Sequence, residues 1–465
     1  MPPTVALFLT TVFVVFLFRR DCREQAQVTG ALWIPVIWML LIASRPVSFW
    51  LGFGGAMYDT PADLAEGSPL DRMTYIVLQL AAFVVLYRRG ISWSTVLSRN
   101  LWLTVFLAYC GVSILWSDFP FAAFKRWIKV LGLPMMVLVL ATEPDPREAF
   151  VRLMKRSAYV LVPFSILLIK YYPHLARAFD PWSGEASNTG VTGNKNELGY
   201  VCLIFGFFFF WHLLTTLRRE RTPERQKELL LIVAFLYMIG WLLFMSSSAT
   251  SVVSLVLGIS VVLSFSVRSV GMRKMAAYWA GGLVIFSCAE LFFDVTDTLV
   301  AALGRDPTLS GRRDLWAQVL SSDINPIVGA GFESFWLGGQ ALWLWSEYWW
   351  RPNQAHNGYL ETYLNLGWIG VILLVGVILS AFWKACVDLF SDSDFDFGRF
   401  RLGIVAITIV YNCTEAAFKG LHPVWFLFFI AAMDCPYSPP VPREVHSSLS
   451  GFRASPSRRH LKPSR

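Results

Sequence analysis

Charge is scarce in this chain: Asp, Glu, Lys and Arg make up only 15% of its 465 residues. Against that stand 55% hydrophobic and 15% aromatic residues and a mean hydropathy of +0.51. Such a balance excludes a soluble globular protein of this length and leaves a polytopic membrane protein. Nucleotide signatures are also missing. There is neither a Walker loop nor a Gly-x-Gly-x-x-Gly run, so direct consumption of nucleotide is not expected. No CxxC or HExxH spacing supports a metal site. The seven cysteines avoid both long outer loops and imply no disulfide framework. Neither a cofactor nor a metal is therefore expected.

What the chain does have is a succession of apolar runs long enough, with polar ends, to cross a hydrocarbon core of about 30 Å. They lie near 4–18, 30–44, 72–87, 100–116, 127–141, 157–172, 198–217, 229–246, 250–267, 276–294, 364–383, 402–418 and 423–434. The fold expected is an all-α polytopic membrane domain of twelve or thirteen transmembrane helices. The run at 4–18 has no basic n-region and no small-residue cleavage site, which argues against a removable signal peptide and leaves a full or a half span.

Lys and Arg resist translocation, so their distribution orients the chain. Loops 19–28, 88–99, 142–156, 218–228, 268–274, 384–401 and the tail from 435 hold 27 of the 40 basic residues. These belong on the cytoplasmic side, which puts the C-terminus inside and makes 173–197 and 296–363 the two long outer segments. The net charge of +8 thus needs no nucleic-acid partner. Residues 1–435 read as one membrane domain, and 436–465, rich in Pro, Ser and Arg, as a disordered basic tail that can rest on anionic headgroups.

Polar chemistry collects on the outer side. Within 296–363, Asp297–Leu303 and Gly311–Ser321 suit short helices, since Arg313, Leu315, Trp316, Val319 and Leu320 recur at helical spacing. Trp336, Trp343, Trp345, Tyr348, Trp349 and Trp350 then follow within fifteen residues. Indoles favour the water–lipid interface, so this stretch either lies on the membrane surface or forms a wall on which sugars stack. Thirteen basic residues depart from the cytoplasmic bias, and four sit in patterned surroundings: Arg126 in Phe-Lys-Arg-Trp, Lys195 in Thr-Gly-Asn-Lys-Asn-Glu-Leu-Gly, and Arg312 and Arg313 after Gly311. Guanidinium and ammonium groups gathered at one end of a helical bundle are what a diphosphate requires.

His356 stands in a polar loop directly before an apolar span, in Arg-Pro-Asn-Gln-Ala-His-Asn-Gly-Tyr-Leu-Glu. An imidazole can accept a proton near neutral pH, which makes His356 the first choice for proton chemistry. The other histidines are placed worse: His212 near an inner span end, His446 and His460 in the tail, His174 in the smaller outer loop, His422 in a short outer turn.

Taken together the pattern resembles the O-antigen ligase and polymerase superfamily, including exopolysaccharide-production polymerases, over roughly residues 100–435. Four segments carry the resemblance in order. They are Trp116-Ser-Asp-Phe-Pro120 with Phe124-Lys-Arg-Trp127; Gly190-Val-Thr-Gly-Asn-Lys-Asn-Glu-Leu-Gly199; Gly311-Arg-Arg-Asp-Leu-Trp316 with Asn325-Pro-Ile-Val-Gly-Ala-Gly-Phe332; and His356-Asn-Gly-Tyr-Leu-Glu361 with Gly367-Trp-Ile-Gly370. The resemblance implies a GT-C-type enzyme at the outer, periplasmic face of a bacterial inner membrane. It implies a metal-independent, inverting transfer of glycan from a polyprenyl-diphosphate donor to a hydroxyl of another glycan, of lipid A-core or of some other acceptor. His356 would be the base, and Arg312 or Arg313, with Arg126 and Lys195, would hold the diphosphate. Asn196, Asn357 and Glu361 would support them. Where the family motif often has His before Lys-Asn, this chain has Asn194. The competing class is a transporter or flippase for the same lipid-linked anions, whose marks would be ionisable residues at mid-membrane and broken helices in repeated halves.

Overall fold

Prolines and short polar residues open most of the helices. Pro occupies the first helical turn at Pro3, Pro69, Pro120, Pro146, Pro223 and Pro423, where its missing N–H would have had no partner. Asp145, Asn194, Thr222 and Asn357 accept hydrogen bonds from the exposed N–H groups of the turns they precede. The structure, a computed structural model, describes residues 1–435 except 25–26, 54–66, 180–183, 185, 267–273, 276, 280, 283–284, 286–311, 349 and 392–393.

The principal helices are α1 (Pro3–Arg23), α2 (Trp33–Ile42), α3 (Pro69–Arg89), α4 (Leu101–Val112), α5 (Pro120–Ala141), α6 (Pro146–Tyr171), α7 (Lys195–Leu217), α8 (Pro223–Ser246), α9 (Ala249–Ser264), α10 (Arg312–Leu320), α11 (Gly338–Glu347), α12 (Gly358–Leu389), α13 (Phe395–Thr414) and α14 (Pro423–Ala432). Among the described residues the only strands are Arg177–Phe179 and Ala186–Asn188, a short antiparallel pair. An all-α membrane protein is therefore what the chain forms.

Twelve of the thirteen expected runs fall on these helices; most of 276–294, the expected helix Asp297–Leu303 and the tail 436–465 lie outside the described residues. Of the described helices, α3, α7, α8 and α12 are long and apolar enough to cross a membrane. The bent pair Trp93–Arg99 and Leu101–Trp116, which turns by 99°, makes a fifth if it acts as one span. Helices such as α2, α9 and α14 are shorter, and α5 carries Lys125, Arg126 and Lys129 near its start. The first run forms one continuous 21-residue helix, about 31 Å long, whose last turns carry Arg19, Arg20, Asp21 and Arg23.

Helix α7 lies at the centre. It is apolar on every face, and Phe207, Phe208 and Phe209 are fully buried, so other helices surround it. Around it pack α8, α9 and α14, with α13 bridging α9 and α12. Phe150 of α6 meets Phe208, and Phe207 stacks on Phe400 of α13 at 5.3 Å. By contrast, α3 and α8 turn most of their residues outward.

One helix is broken. At Gly367, φ +62° and ψ −166° interrupt α12 and free backbone groups on both sides of the break. The segment 326–331 takes them up. Ala330 and Gly331 N–H donate to the Leu364 and Asn365 carbonyls at 3.0 and 2.8 Å, and Trp368 and Ile369 N–H donate to Pro326 and Ile327 at 2.9 and 3.2 Å. Irregular backbone within a bundle is tolerated where protein satisfies it in this way. The glycines of Val-Gly-Ala-Gly and of Gly-Trp-Ile-Gly thereby acquire a reason: a Cβ on Gly367 would lie 2.2 Å from the Ile327 carbonyl oxygen, and one on Gly329 2.4 Å from the Asn365 backbone.

At the opposite end of the bundle a charged network clamps α1 to α6 and α8. Asp21 accepts from Arg152 at 2.5 Å and from Arg156 at 2.8 Å, and Glu228 pairs with Arg20 at 2.7 Å and Lys155 at 2.9 Å.

Candidate active site

Four chain segments meet at the end of the bundle where α7 and α12 begin and α13 stops. The tie between the first and third is polar: Trp116 Nε1 donates to the Val328 carbonyl at 3.3 Å, and the Ser117 and Ser334 hydroxyls bond at 2.7 Å. Third and fourth join twice, by the backbone bonds across the α12 break and by Trp316 Nε1 donating to the Ala355 carbonyl at 2.7 Å. The expected helix at Gly311–Ser321 is α10, which turns Leu315 and Val319 inward and leaves Leu320 exposed.

His356 sits one residue before the α12 cap, with φ +50°, a left-handed conformation uncommon for a residue with a side chain. Asn357 fixes the cap by accepting from Tyr359 and Leu360 N–H at 3.0 Å each and donating to the Cys413 carbonyl at 3.2 Å. Glu361, one turn on, is buried. Its oxygens accept from Trp336 Nε1 at 2.7 Å, Ala355 N–H at 2.9 Å and Asn365 Nδ2 at 3.3 Å. Both residues therefore hold the loop that presents His356.

The imidazole itself faces a residue that sequence reasoning did not select. Glu415 follows the last residue of α13, and its Oε2 lies 3.3 Å from His356 Nδ1. Its Oε1 accepts from Asn196 Nδ2 at 2.9 Å and from Arg312 Nη2 at 3.3 Å, while Arg312 Nη1 donates to the Thr414 carbonyl at 2.6 Å. One carboxylate thus joins the expected base, one expected cation and one expected supporting residue. Burial alone would push the Glu415 carboxyl up, but His356 and then Arg312 outweigh it and hold the group below the usual carboxylate range.

The remaining cations are arranged more widely. Lys195 is the first residue of α7, beside Asn196. Arg126 of α5 donates to the Glu333 carbonyl, with its Nε 4.0 Å from the Glu333 carboxylate. That carboxylate also accepts from Gly420 N–H at 2.9 Å, and the neighbouring Lys419 donates to Gln354, two residues before His356. Arg126 is therefore linked to the histidine through Glu333 and the 419–420 turn, without touching it. Arg313 shares α10 with Arg312, and its side chain lies outside the described residues. Among the described residues no group of three or more His, Cys, Asp or Glu side chains is arranged to hold a metal ion.

Part of the aromatic run is committed internally. Trp336 is spent on Glu361, and Trp345 donates to the Pro352 carbonyl under the Arg351 guanidinium. Leu342 and Trp343 face outward.

Residues 233–375 match a protein-family model described as O-antigen ligase. That segment contains Arg312, His356 and Glu361, and leaves Arg126, Asn196 and Glu415 outside. Over 373 residues the chain is 26% identical to the exopolysaccharide production protein ExoQ of Rhizobium meliloti (strain 1021), covering 77% of this chain and 82% of that protein.

Proposed function

We propose, on the premise that this chain belongs to the O-antigen ligase and polymerase-like family, that it transfers a glycan from a polyprenyl-diphosphate carrier to an acceptor hydroxyl at the outer face of a bacterial inner membrane. The observation that carries the reading is the single Glu415 carboxylate shared by His356 and Arg312, which puts a proton acceptor and a guanidinium into one polar site.

The chemistry is a substitution at the anomeric carbon. The acceptor oxygen forms the new bond, its proton passes to His356 Nε2, and the bond to the diphosphate oxygen breaks with its electron pair leaving on the carrier. Nε2 makes no hydrogen bond among the described residues, so it faces no competing donor there. Polyprenyl diphosphate departs already charged, so cations answer its need better than a general acid does. Arg312 or Arg313 takes that role, with Lys195 and Arg126 adding positive charge at the same end of the bundle. Displacement from the face opposite the diphosphate inverts the anomeric centre, and no step calls for a metal.

A flippase would use the same cations to move the lipid rather than to cleave it. The broken α12 invites that reading, but its freed backbone groups are bonded to 326–331. The name of the ExoQ relative concerns exopolysaccharide production, which favours a polymerase among the family's activities. Reconstitution with polyprenyl-diphosphate oligosaccharide, with and without lipid A-core, tests the proposal when products are resolved by size. A ladder without added acceptor identifies a polymerase and one acceptor-dependent shift a ligase. Transfer by His356→Ala at the wild-type rate would sink the base assignment.

A further inference from the structure

We infer that Glu415 is a positioning residue for the transfer, holding His356 in the tautomer whose Nε2 is free to take the acceptor proton. The inference rests on the reading of His356 as the base.

His356 cannot orient its own ring. Its backbone lies at φ +50°, ahead of the helix cap, and its described polar side-chain neighbours are Glu415 at 3.3 Å and Gln354 at 3.4 Å, both at Nδ1. These two make opposite demands. Lys419 occupies the Gln354 oxygen, which turns the Gln354 amide nitrogen, a donor, toward Nδ1. Glu415 offers only an acceptor. A nitrogen cannot satisfy both, and the charged partner makes the stronger bond, so Nδ1 carries the hydrogen and points it at Oε2. The proton-free nitrogen is then Nε2.

Glu415 is itself held from three sides. Its N–H donates to the Tyr411 carbonyl at 3.0 Å, and its Oε1 is occupied by Asn196 and Arg312. The side chain is only 10% exposed. A carboxylate fixed by a helix end, an amide and a guanidinium is a rigid stop for an imidazole, and the same grip sets the spacing between the base and the cation. The transfer step is unchanged by this: the proton from the acceptor hydroxyl still ends on Nε2, and Glu415 gains no proton.

The experiment compares Glu415→Gln, His356→Ala and the double variant in nanodiscs, using polyprenyl-diphosphate oligosaccharide as donor. Gln presents an amide where the carboxylate stood and favours the wrong tautomer, so kcat should fall about 10²- to 10⁴-fold while donor KM moves less than about threefold. The double variant should be no slower than His356→Ala alone, because the two residues act as one unit. A merely structural Glu415 would give additive losses. Donor binding reports folding; if Glu415→Gln fails to bind, Glu415→Asp replaces it, with the carboxylate withdrawn by one methylene, and a selective loss of kcat is again expected. Wild-type kcat in either folded variant, beside an inactive His356→Ala, overturns the inference. An active His356→Ala would instead remove the assignment of the base on which it rests.

Discussion

Replacing Gly367 by Ala tests how the site is built. At φ +62° and ψ −166° the residue occupies a region populated almost only by glycine, where a side chain costs about 1–3 kcal/mol. Its new Cβ would also sit 2.2 Å from the Ile327 carbonyl oxygen, a backbone atom that no rotamer change moves. The alternative is for 326–331 to lift away, which gives up four backbone bonds worth about 1 kcal/mol each. Whichever route is cheaper sets the cost, so a loss of about 3 kcal/mol is expected. Activity should suffer more than stability. Glu333 and Trp336 follow directly and hold Arg126 and Glu361, and a displacement of about 1 Å in a catalytic site costs on the order of 10²-fold in rate. Thermal unfolding in detergent and glycan transfer measure the two effects. Gly240→Ala is the control, since nothing lies within 4 Å of that Cβ and the change sits inside α8, where it should be neutral or stabilise by about 0.5–1 kcal/mol. A Gly367→Ala protein that melts with wild type and transfers normally would refute the role given to the break.

Two further outcomes follow from groups at the two ends of the bundle. Asp21→Asn leaves the buried Arg152 and Arg156 short of a charge; about 3 kcal/mol of stability should be lost, the low end for a broken buried pair because Glu148 and Glu24 still hold Arg152, and urea unfolding in detergent reads it. His422 caps α14 by accepting Val424 N–H at Nδ1, and burial, then Lys419, push its imidazole down to about 3. Between that value and the ordinary one near 6.5 the unfolded chain binds a proton that the folded chain refuses, so stability is full above about pH 6.5 and falls as pH drops toward 3, by up to about 1.4 kcal/mol per pH unit. His422→Asn keeps a cap-forming side chain and should flatten melting temperature across that window.

Much of the membrane domain was legible because apolar runs, proline starts and Asp, Asn or Thr caps are local signals. Leu315 and Val319 came from helical spacing alone. The break in α12 was not legible: Gly-Trp-Ile-Gly lies within the expected run 364–383, and what fills the break lies some forty residues upstream at 326–331. Glu415 was hidden for a different reason. It falls inside the apolar run 402–418, and its meaning depends on α13 stopping at Thr414 and on partners at 196, 312 and 356. Arg126 was identified as a site cation, yet its link through Glu333 to the 419–420 turn required the fold.

The division of labour between anion binding and proton transfer is tested most directly by measuring the affinity of nanodisc-embedded protein for the polyprenyl-diphosphate oligosaccharide in two variants. His356→Ala should bind the donor as wild type does and turn none of it over. Arg312→Ala should bind it about tenfold or more weakly, the loss of one charged hydrogen-bonding group of about 1.5–3 kcal/mol. Equal donor affinity in Arg312→Ala and wild type, or turnover by His356→Ala, would contradict the account.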